Sequence, residues 1–230
     1  EVIEKWLYVI VGLTFLSGLL GTGHHYYYIG VNKIWLIVGG IFSALEPLAF
    51  LAMALFAVYM YRKGEKSHPN KIALFWTIGA SIVSFIGAGL LGFAHTLPQT
   101  NIYTHGTLVT AMHGHYAFWG AYAMIVLAII SYALPNITGR KLYDSTRGHM
   151  AFWLSNIGML GMTVAFGVAG VAQVYMERKM KMDFMDVQNE ISIHFVVLLL
   201  CASLFATGIT LYILEFIKYG KPTDEALIKE

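Results

Sequence analysis

Two histidines separated by one glycine, His113-Gly114-His115, sit inside the apolar run LVTAMHGHYAFWGAYAMIVLAIISYAL. An α-helix turns about 100° per residue, so imidazoles two positions apart point about 200° apart, to opposite sides of the helix. They cannot share one metal, but one helix can hold two centres apart. Burying imidazoles among aliphatic and aromatic groups is unfavourable unless each nitrogen finds a partner, and a metal such as a haem iron on either side would supply one. The competing reading is a pair of hydrogen-bonded core histidines.

A second constellation is the adjacent pair His24-His25 in GTGHHYYYIG. Neighbours on a regular helix diverge by about 100°, so they meet at one metal only where the helix loosens or ends. Gly21 and Gly23 permit that departure, and the three tyrosines that follow suit a membrane interface. Neutral imidazoles favour iron, copper or zinc over calcium or magnesium. Two histidines do not complete a site, and an interfacial polar pair is the alternative. The third signal is Glu46, in FSALEPLAFLAMALF, about 18 Å into its apolar segment at 1.5 Å per residue. A carboxylate at that depth must be protonated, hydrogen-bonded or facing a wet cavity, and such groups mark proton paths; a structural interhelix hydrogen bond would also account for it. Pro47 follows it and can bend the helix.

The elements that must position these residues are membrane helices. Hydrophobic residues make up 57% of the chain and charged residues 12%, and mean hydropathy is +0.64. Those values exclude an ordinary soluble domain. Six apolar stretches of spanning length stand out, at Trp6–Gly23, Ile34–Tyr61, Ile72–Phe93, Gly106–Leu134, Met150–Tyr175 and Ile191–Ile217. The expected fold is an all-α membrane protein of six transmembrane helices, with residues 1–230 as a single transmembrane domain in lipid. A formal charge of +2, without a basic block, argues against nucleic acid as a partner. The single cysteine, Cys201, excludes an internal disulfide, a CxxCH haem attachment and a thiolate cluster within this chain.

Loop charge gives an orientation. The second loop (YRKGEKSHPNK) and the fourth (PNITGRKLYDSTRGH) are net basic, whereas the third (HTLPQTNIYTH) has neither lysine nor arginine. The positive-inside rule puts the second and fourth loops, and both termini, in the cytoplasm. His24 and His25 then lie at the outer end of the first helix, and His113 and His115 about 12 to 15 Å in from the same side. Charge alone thus gathers four histidines at similar depth. His95 and His105 bracket the uncharged outer loop, and with Thr96, Asn101 and Thr104 they are candidates to hydrogen-bond haem carboxylates if irons sit on His113 and His115; loop solvation is the alternative. His68 and His149 read as surface residues, His194 has no evident partner, and Glu215 and Lys218 are expected to snorkel or pair. The small residues of FGVAGVAQVYM and WLSNIGMLGM read as close helix packing.

GTGHHYYYIG, FSALEPLAF, HPNK, THGT and AMHGHYAFWGAY, in this order and spacing, resemble the catalytic subunit of bacterial nitric oxide reductase, a branch of the haem-copper oxidase superfamily. The resemblance covers essentially the whole chain. It implies a twelve-helix bundle of which these are the last six, and a missing N-terminal half of the same subunit. It makes His24 and His25 ligands of a non-haem iron, His113 the proximal ligand of a high-spin catalytic haem, and His115 an axial ligand of a low-spin haem. Both haems are implied to be b-type. Glu46 matches a glutamate that supplies protons or tunes the iron site. The third iron histidine, the iron glutamate and the second low-spin haem ligand are implied to lie outside this chain.

The implied activity is reduction of two nitric oxide molecules to nitrous oxide and water in denitrification and anaerobic respiration. The implied place is the bacterial cytoplasmic (inner) membrane, multi-pass, with the metal sites towards the periplasm. The expected electron donor is a membrane-anchored c-type cytochrome subunit, in preference to a quinol. Imidazole suits iron and copper alike, so an oxygen-reducing haem-copper terminal oxidase is the nearest alternative. A nitric oxide dismutase would show altered iron ligands or a changed Glu46. A di-haem transmembrane electron-transfer protein lacks a reason for the His24-His25 pair, and a transporter is expected to show inverted repeats.

Overall fold

Polar side chains at the loop ends set where the long helices begin. In the computed structural model Asn32 Oδ1 accepts from the Ile34 amide at 3.0 Å, Asn70 Oδ1 from Ala73 at 3.0 Å, Thr107 Oγ1 from Val109 at 3.3 Å and Ser145 Oγ from Gly148 at 2.9 Å. Each satisfies an amide that the first turn of a helix leaves without an internal acceptor. The structure describes residues 2–64, 70–139 and 145–219; His68 and the side chain of Lys218 lie outside them.

The described residues form α-helical segments and no strand: α1 (Val2–Gly21), α2 (Lys33–Ser43), α3 (Glu46–Lys63), α4 (Lys71–Ser84), α5 (Gly92–Thr96), α6 (Pro98–Thr104), α7 (Leu108–Phe118), α8 (Met124–Thr138), α9 (Thr146–Val174), α10 (Phe184–Glu190) and α11 (Ser192–Tyr219). A 3₁₀ turn, Thr22–Tyr26, continues α1, and π-helical turns at Phe85–Leu91, Trp119–Ala123 and Tyr175–Lys179 continue α4, α7 and α9. Joined across these turns and across Ala44 and Leu45, six helices among the described residues are long and apolar enough to cross a membrane: Ile3–Tyr26, Lys33–Lys63, Lys71–Thr96, Leu108–Thr138, Thr146–Lys179 and Ser192–Ile217. Each contains or closely overlaps one of the six expected stretches.

Small residues let the helices close on one another, as expected for the fifth and sixth spans. A β-carbon at Gly158 would run into the backbone of Cys201 and Phe205, and one at Gly208 into the backbone of Ala151 and Ser155, so α9 and α11 pack backbone to backbone in antiparallel order. Trp76, fully buried, meets Trp119, Phe152 and Tyr212 edge to face at 6.0, 5.1 and 5.6 Å between ring centroids. The Trp119 indole donates to Asn156 Oδ1 at 3.1 Å, tying α7 to α9 at the level where the histidine helix continues into α8.

Several single-residue expectations resolve differently. His149 packs its ring against Phe75 at 5.1 Å and is half-buried, because α4 and α9 approach there. His194 Nδ1 lies 3.2 Å from the Ile191 carbonyl, which also accepts the His194 amide at 2.9 Å. Glu215 is buried, accepts the Ser145 hydroxyl and faces Arg147 Nη1 at 3.9 Å, so it ties the end of α11 to the start of α9.

Candidate functional site

His24 and His25 occupy the 3₁₀ turn that ends the first span. At this turn the adjacent imidazoles stand 4.0 Å apart between centroids with a 39° tilt. Two glycines make room for it. A β-carbon at Gly23 would collide with the Trp35 carbonyl and the Gly39 Cα, and one at Gly39 with the backbone of Gly23 and His24. The turn is thereby seated on α2. Fully buried Ser43, at the end of α2, has its hydroxyl 3.2 Å from the Gly21 carbonyl and in hydrogen-bond contact with His24 Nδ1; with the hydroxyl hydrogen on Gly21, His24 Nδ1–H donates to Ser43 Oγ. That bond leaves the lone pair on His24 Nε2.

The second span breaks in its middle. α2 stops at Ser43 and α3 starts at Glu46, with Pro47 in its first turn, where a missing amide costs nothing. The break puts the Glu46 carboxylate at a helix start rather than along a helix wall. One oxygen, Oε1, lies 3.4 Å from where a Gly21 β-carbon would stand, and the other, Oε2, lies 3.8 Å from the corresponding point at Gly92. Glu46 therefore bridges from the histidine turn of the first span to the third span.

His113 meets the same place from α7. Its Nδ1–H donates to the Gly87 carbonyl at 3.0 Å. Gly87 belongs to the π-helical turn Phe85–Leu91, whose wider loop turns that carbonyl towards α7, and a β-carbon there would strike the Tyr116 backbone. His113 Cε1 lies 3.2 Å from the Gly92 β-carbon position that also touches Glu46. His113 is close enough to interact electrostatically with His24, His25 and His95. Four histidines and one carboxylate from four spans thus share one locality.

His115 faces the other way, as the helix geometry requires. Its Nδ1–H donates to the Ala111 carbonyl at 2.8 Å and its ring stands 4.9 Å from that of Phe166 on α9. It lines a largely apolar groove of about 770 Å³ with Thr110, Gly114, Phe118, Trp119, Met159 and Phe205. That volume suits a flat cofactor of haem size, since ligand sites run from roughly 300 to 1,000 Å³.

The outer-loop candidates divide. His95 is not on the loop surface: it stacks on His113 at 5.3 Å between centroids, and its Nε2 lies 3.2 Å from Thr110 Oγ1. The Thr96 hydroxyl donates to the Phe93 carbonyl at 2.8 Å, and the Thr104 hydroxyl to Thr100 at 3.0 Å, so both hydrogens are turned into their own helices. Asn101 donates to the His95 carbonyl at 2.9 Å. His105 remains exposed, 4.9 Å from the Tyr28 ring. Tyr27 donates to the Thr96 carbonyl at 2.7 Å; partial burial, with Tyr28 beside it, pushes its phenol above the ordinary tyrosine range.

Residues that spacing alone did not single out complete the arrangement: Ser43 and Gly87 as acceptors for His24 and His113, and Phe166 against His115. Among the described residues no three histidine, cysteine or acidic side chains converge on one point as a closed metal cage. Three imidazoles nevertheless have Nδ1 fixed by a hydrogen bond and Nε2 left as the donor, the arrangement that metal-bound histidines adopt.

A family model described as cytochrome c and quinol oxidase polypeptide I matches residues 1–205. The chain belongs to that family. This oxidase polypeptide I chain is also similar to a nitric oxide reductase subunit of Stutzerimonas stutzeri, at 44% identity over 96% of its own length and 48% of that protein. It therefore spans about half the length of the curated relative that it matches. Members of the oxidase polypeptide I family are membrane helical bundles that bind haem, which agrees with the six spans.

Proposed function

We propose that this chain forms one wall of a haem and non-haem iron centre that reduces two nitric oxide molecules to nitrous oxide and water. His113 is the proximal ligand of a high-spin b-type haem, His115 an axial ligand of a low-spin b-type haem, and His24 and His25 are ligands of the non-haem iron. The remaining ligands, a third iron histidine, an iron glutamate and a second low-spin ligand, come from the rest of the polypeptide. When bound, the paired irons supply open positions for two diatomic ligands, and the six-coordinate haem supplies electrons.

The observation that carries this reading is the common anchoring of His24, His113 and His115 through Nδ1, each leaving Nε2 directed away from its anchor. Hydrogen bonds to Nδ1 select the tautomer with a lone pair on Nε2 and stop the ring from rotating. His113 and His115 would hold the two haems from one helix, two residues apart, which would give electrons a short path. Glu46, held beside His113 and the histidine turn, holds and passes a proton to the reacting oxygen; two protons and two electrons balance loss of one oxygen as water. His105, exposed at the outer loop, is the residue best placed to meet a haem carboxylate, with His95 bracing His113 and Thr96 fixed within the helix end.

The protein sits in the bacterial inner membrane with these sites towards the periplasm, and a membrane-anchored c-type cytochrome subunit supplies the electrons. Spectra of the intact complex in native membranes test the assignment. His113→Ala should remove the high-spin, carbon monoxide-binding signal and spare the low-spin one, and His115→Ala the reverse. Loss of the same signal in both variants would overturn it.

A further inference from the structure

α9 meets α7 in an antiparallel ladder that spans both histidines. The Leu108 amide donates to Gln173 Oε1 at 2.9 Å, a β-carbon at Gly170 would strike the Val109 amide, one at Gly167 would lie against Met112 Sδ, and Phe166 stands against His115. Gln173 is nine-tenths buried, and its Nε2 donates to Glu177 Oε1 at 2.9 Å. Glu177 lies in the π-helical turn Tyr175–Lys179 that ends the span. The first amide of α7 is therefore capped by a side chain of α9, oriented in turn by a carboxylate one turn on.

We propose that Gln173 is a positioning residue: with Glu177 it fixes the register of α7 against α9 and so sets the pose of His115. The two histidines differ in how they depend on that register. His113 is anchored to the Gly87 carbonyl of another span, whereas His115 is anchored to Ala111 of its own helix and follows α7 wherever it slides. Leu108 to His115 and Phe166 to Gln173 are both two turns, about 10 Å at 1.5 Å per residue, so a shift at the cap reaches the His115–Phe166 contact without attenuation.

The test uses the intact membrane complex and two readouts. Amide exchange at Leu108 reads the cap itself: Q173L should speed it by about two- to tenfold, the worth of one net hydrogen bond. The second readout rests on the functional reading above: Q173L should shift the low-spin haem band and midpoint potential while the high-spin, carbon monoxide-binding band keeps its position. The exchanged pair Q173E/E177Q keeps an acceptor for Leu108, a donor to the residue 173 carboxylate and the same total charge, and should restore both readouts. Wild-type exchange at Leu108 in Q173L overturns the proposal, as does a double variant that stays as perturbed as Q173L. If Q173L does not accumulate, the double variant decides: wild-type exchange and spectrum support the proposal, and their loss overturns it. A low-spin band that survives His115→Ala would sink the functional reading and leave the exchange result standing.

Discussion

Gly92→Ala puts one methyl group between His113 and Glu46 in the proposed catalytic site. Its β-carbon would stand 3.2 Å from His113 Cε1, 3.9 Å from His113 Nε2 and 3.8 Å from Glu46 Oε2. Carbon atoms prefer roughly 3.5 to 4.0 Å, so the imidazole must withdraw by a few tenths of an ångström. It cannot translate freely, because Nδ1 is held to the Gly87 carbonyl at 3.0 Å; it pivots about that bond, and the opposite nitrogen, Nε2, swings. Overpacking of this kind costs about 1 to 3 kcal/mol, too little to unfold a six-helix bundle. Misplacing a reacting group by about 1 Å costs roughly 100-fold in rate, so a displacement of a few tenths should cost about tenfold or less.

The assay is nitric oxide consumption by native membranes, alongside the reduced carbon monoxide difference spectrum. The expected result is a fall in turnover of about tenfold with a displaced high-spin band and an unchanged low-spin band. Gly40→Ala is the control: a β-carbon there meets nothing within 4 Å, so the change should leave turnover alone and add at most about 1 kcal/mol of helix stability. Wild-type turnover and an unmoved carbon monoxide band in Gly92→Ala, or a shift confined to the low-spin band, would refute the placement of His113.

Ser43→Ala removes the acceptor that orients His24 and should lower non-haem iron affinity by roughly 10- to 100-fold with both haem spectra retained, as read by metal analysis. Glu46→Gln keeps the shape and loses the transferable proton; turnover should fall by about 100-fold or more while both haems stay bound, and full activity would return Glu46 to a structural role. Tyr27 has its phenol raised in the folded protein, so the neutral donor's contribution is complete below the ordinary tyrosine value of about 10 and is lost as pH rises through the higher folded value. Thermal melts from pH 8 to 11 should show that loss in the native chain and not in Tyr27→Phe.

The six spans were legible because desolvation of a backbone in lipid leaves few solutions, and the boundaries read from hydropathy differ from the observed ones by a few residues, as at Met150–Tyr175 against Thr146–Lys179. The opposite facing of His113 and His115 follows from helix geometry, and the end of the regular α-helix before His24 and His25 from Gly21 and Gly23, although the departure is a tighter 3₁₀ turn rather than a loosening. The anchors were not legible. Ser43 and Gly87 act across 19 and 26 residues of chain, and nothing local in FSALEP or FIGAGLLG says which histidine will reach them. The fifth span read as packing alone, since small residues dominate it, yet the same close approach brings Phe166 and Gln173 onto α7.

The irregularities of the first four spans fall where the chemistry is proposed. A 3₁₀ turn carries His24 and His25, a two-residue break precedes Glu46, a π-helical turn presents the Gly87 carbonyl to His113, and a second π-helical turn begins at Trp119, one turn after His115. A continuous α-helix pairs its carbonyls along its own axis, and a departure from it re-aims a carbonyl towards a facing side chain. Inside a membrane the carbonyl freed by each departure must find a donor, and there is no bulk water to provide one. The Gly87 carbonyl finds His113, and the Gly21 carbonyl finds Ser43, which in turn accepts from His24. At Gly23, Gly39 and Gly87, beside these departures, a β-carbon would meet backbone atoms rather than flexible side chains. At the Gly21 and Gly87 carbonyls, anchored imidazoles and locally opened helices are therefore two sides of one constraint: in lipid, what an opening exposes must be satisfied within the protein.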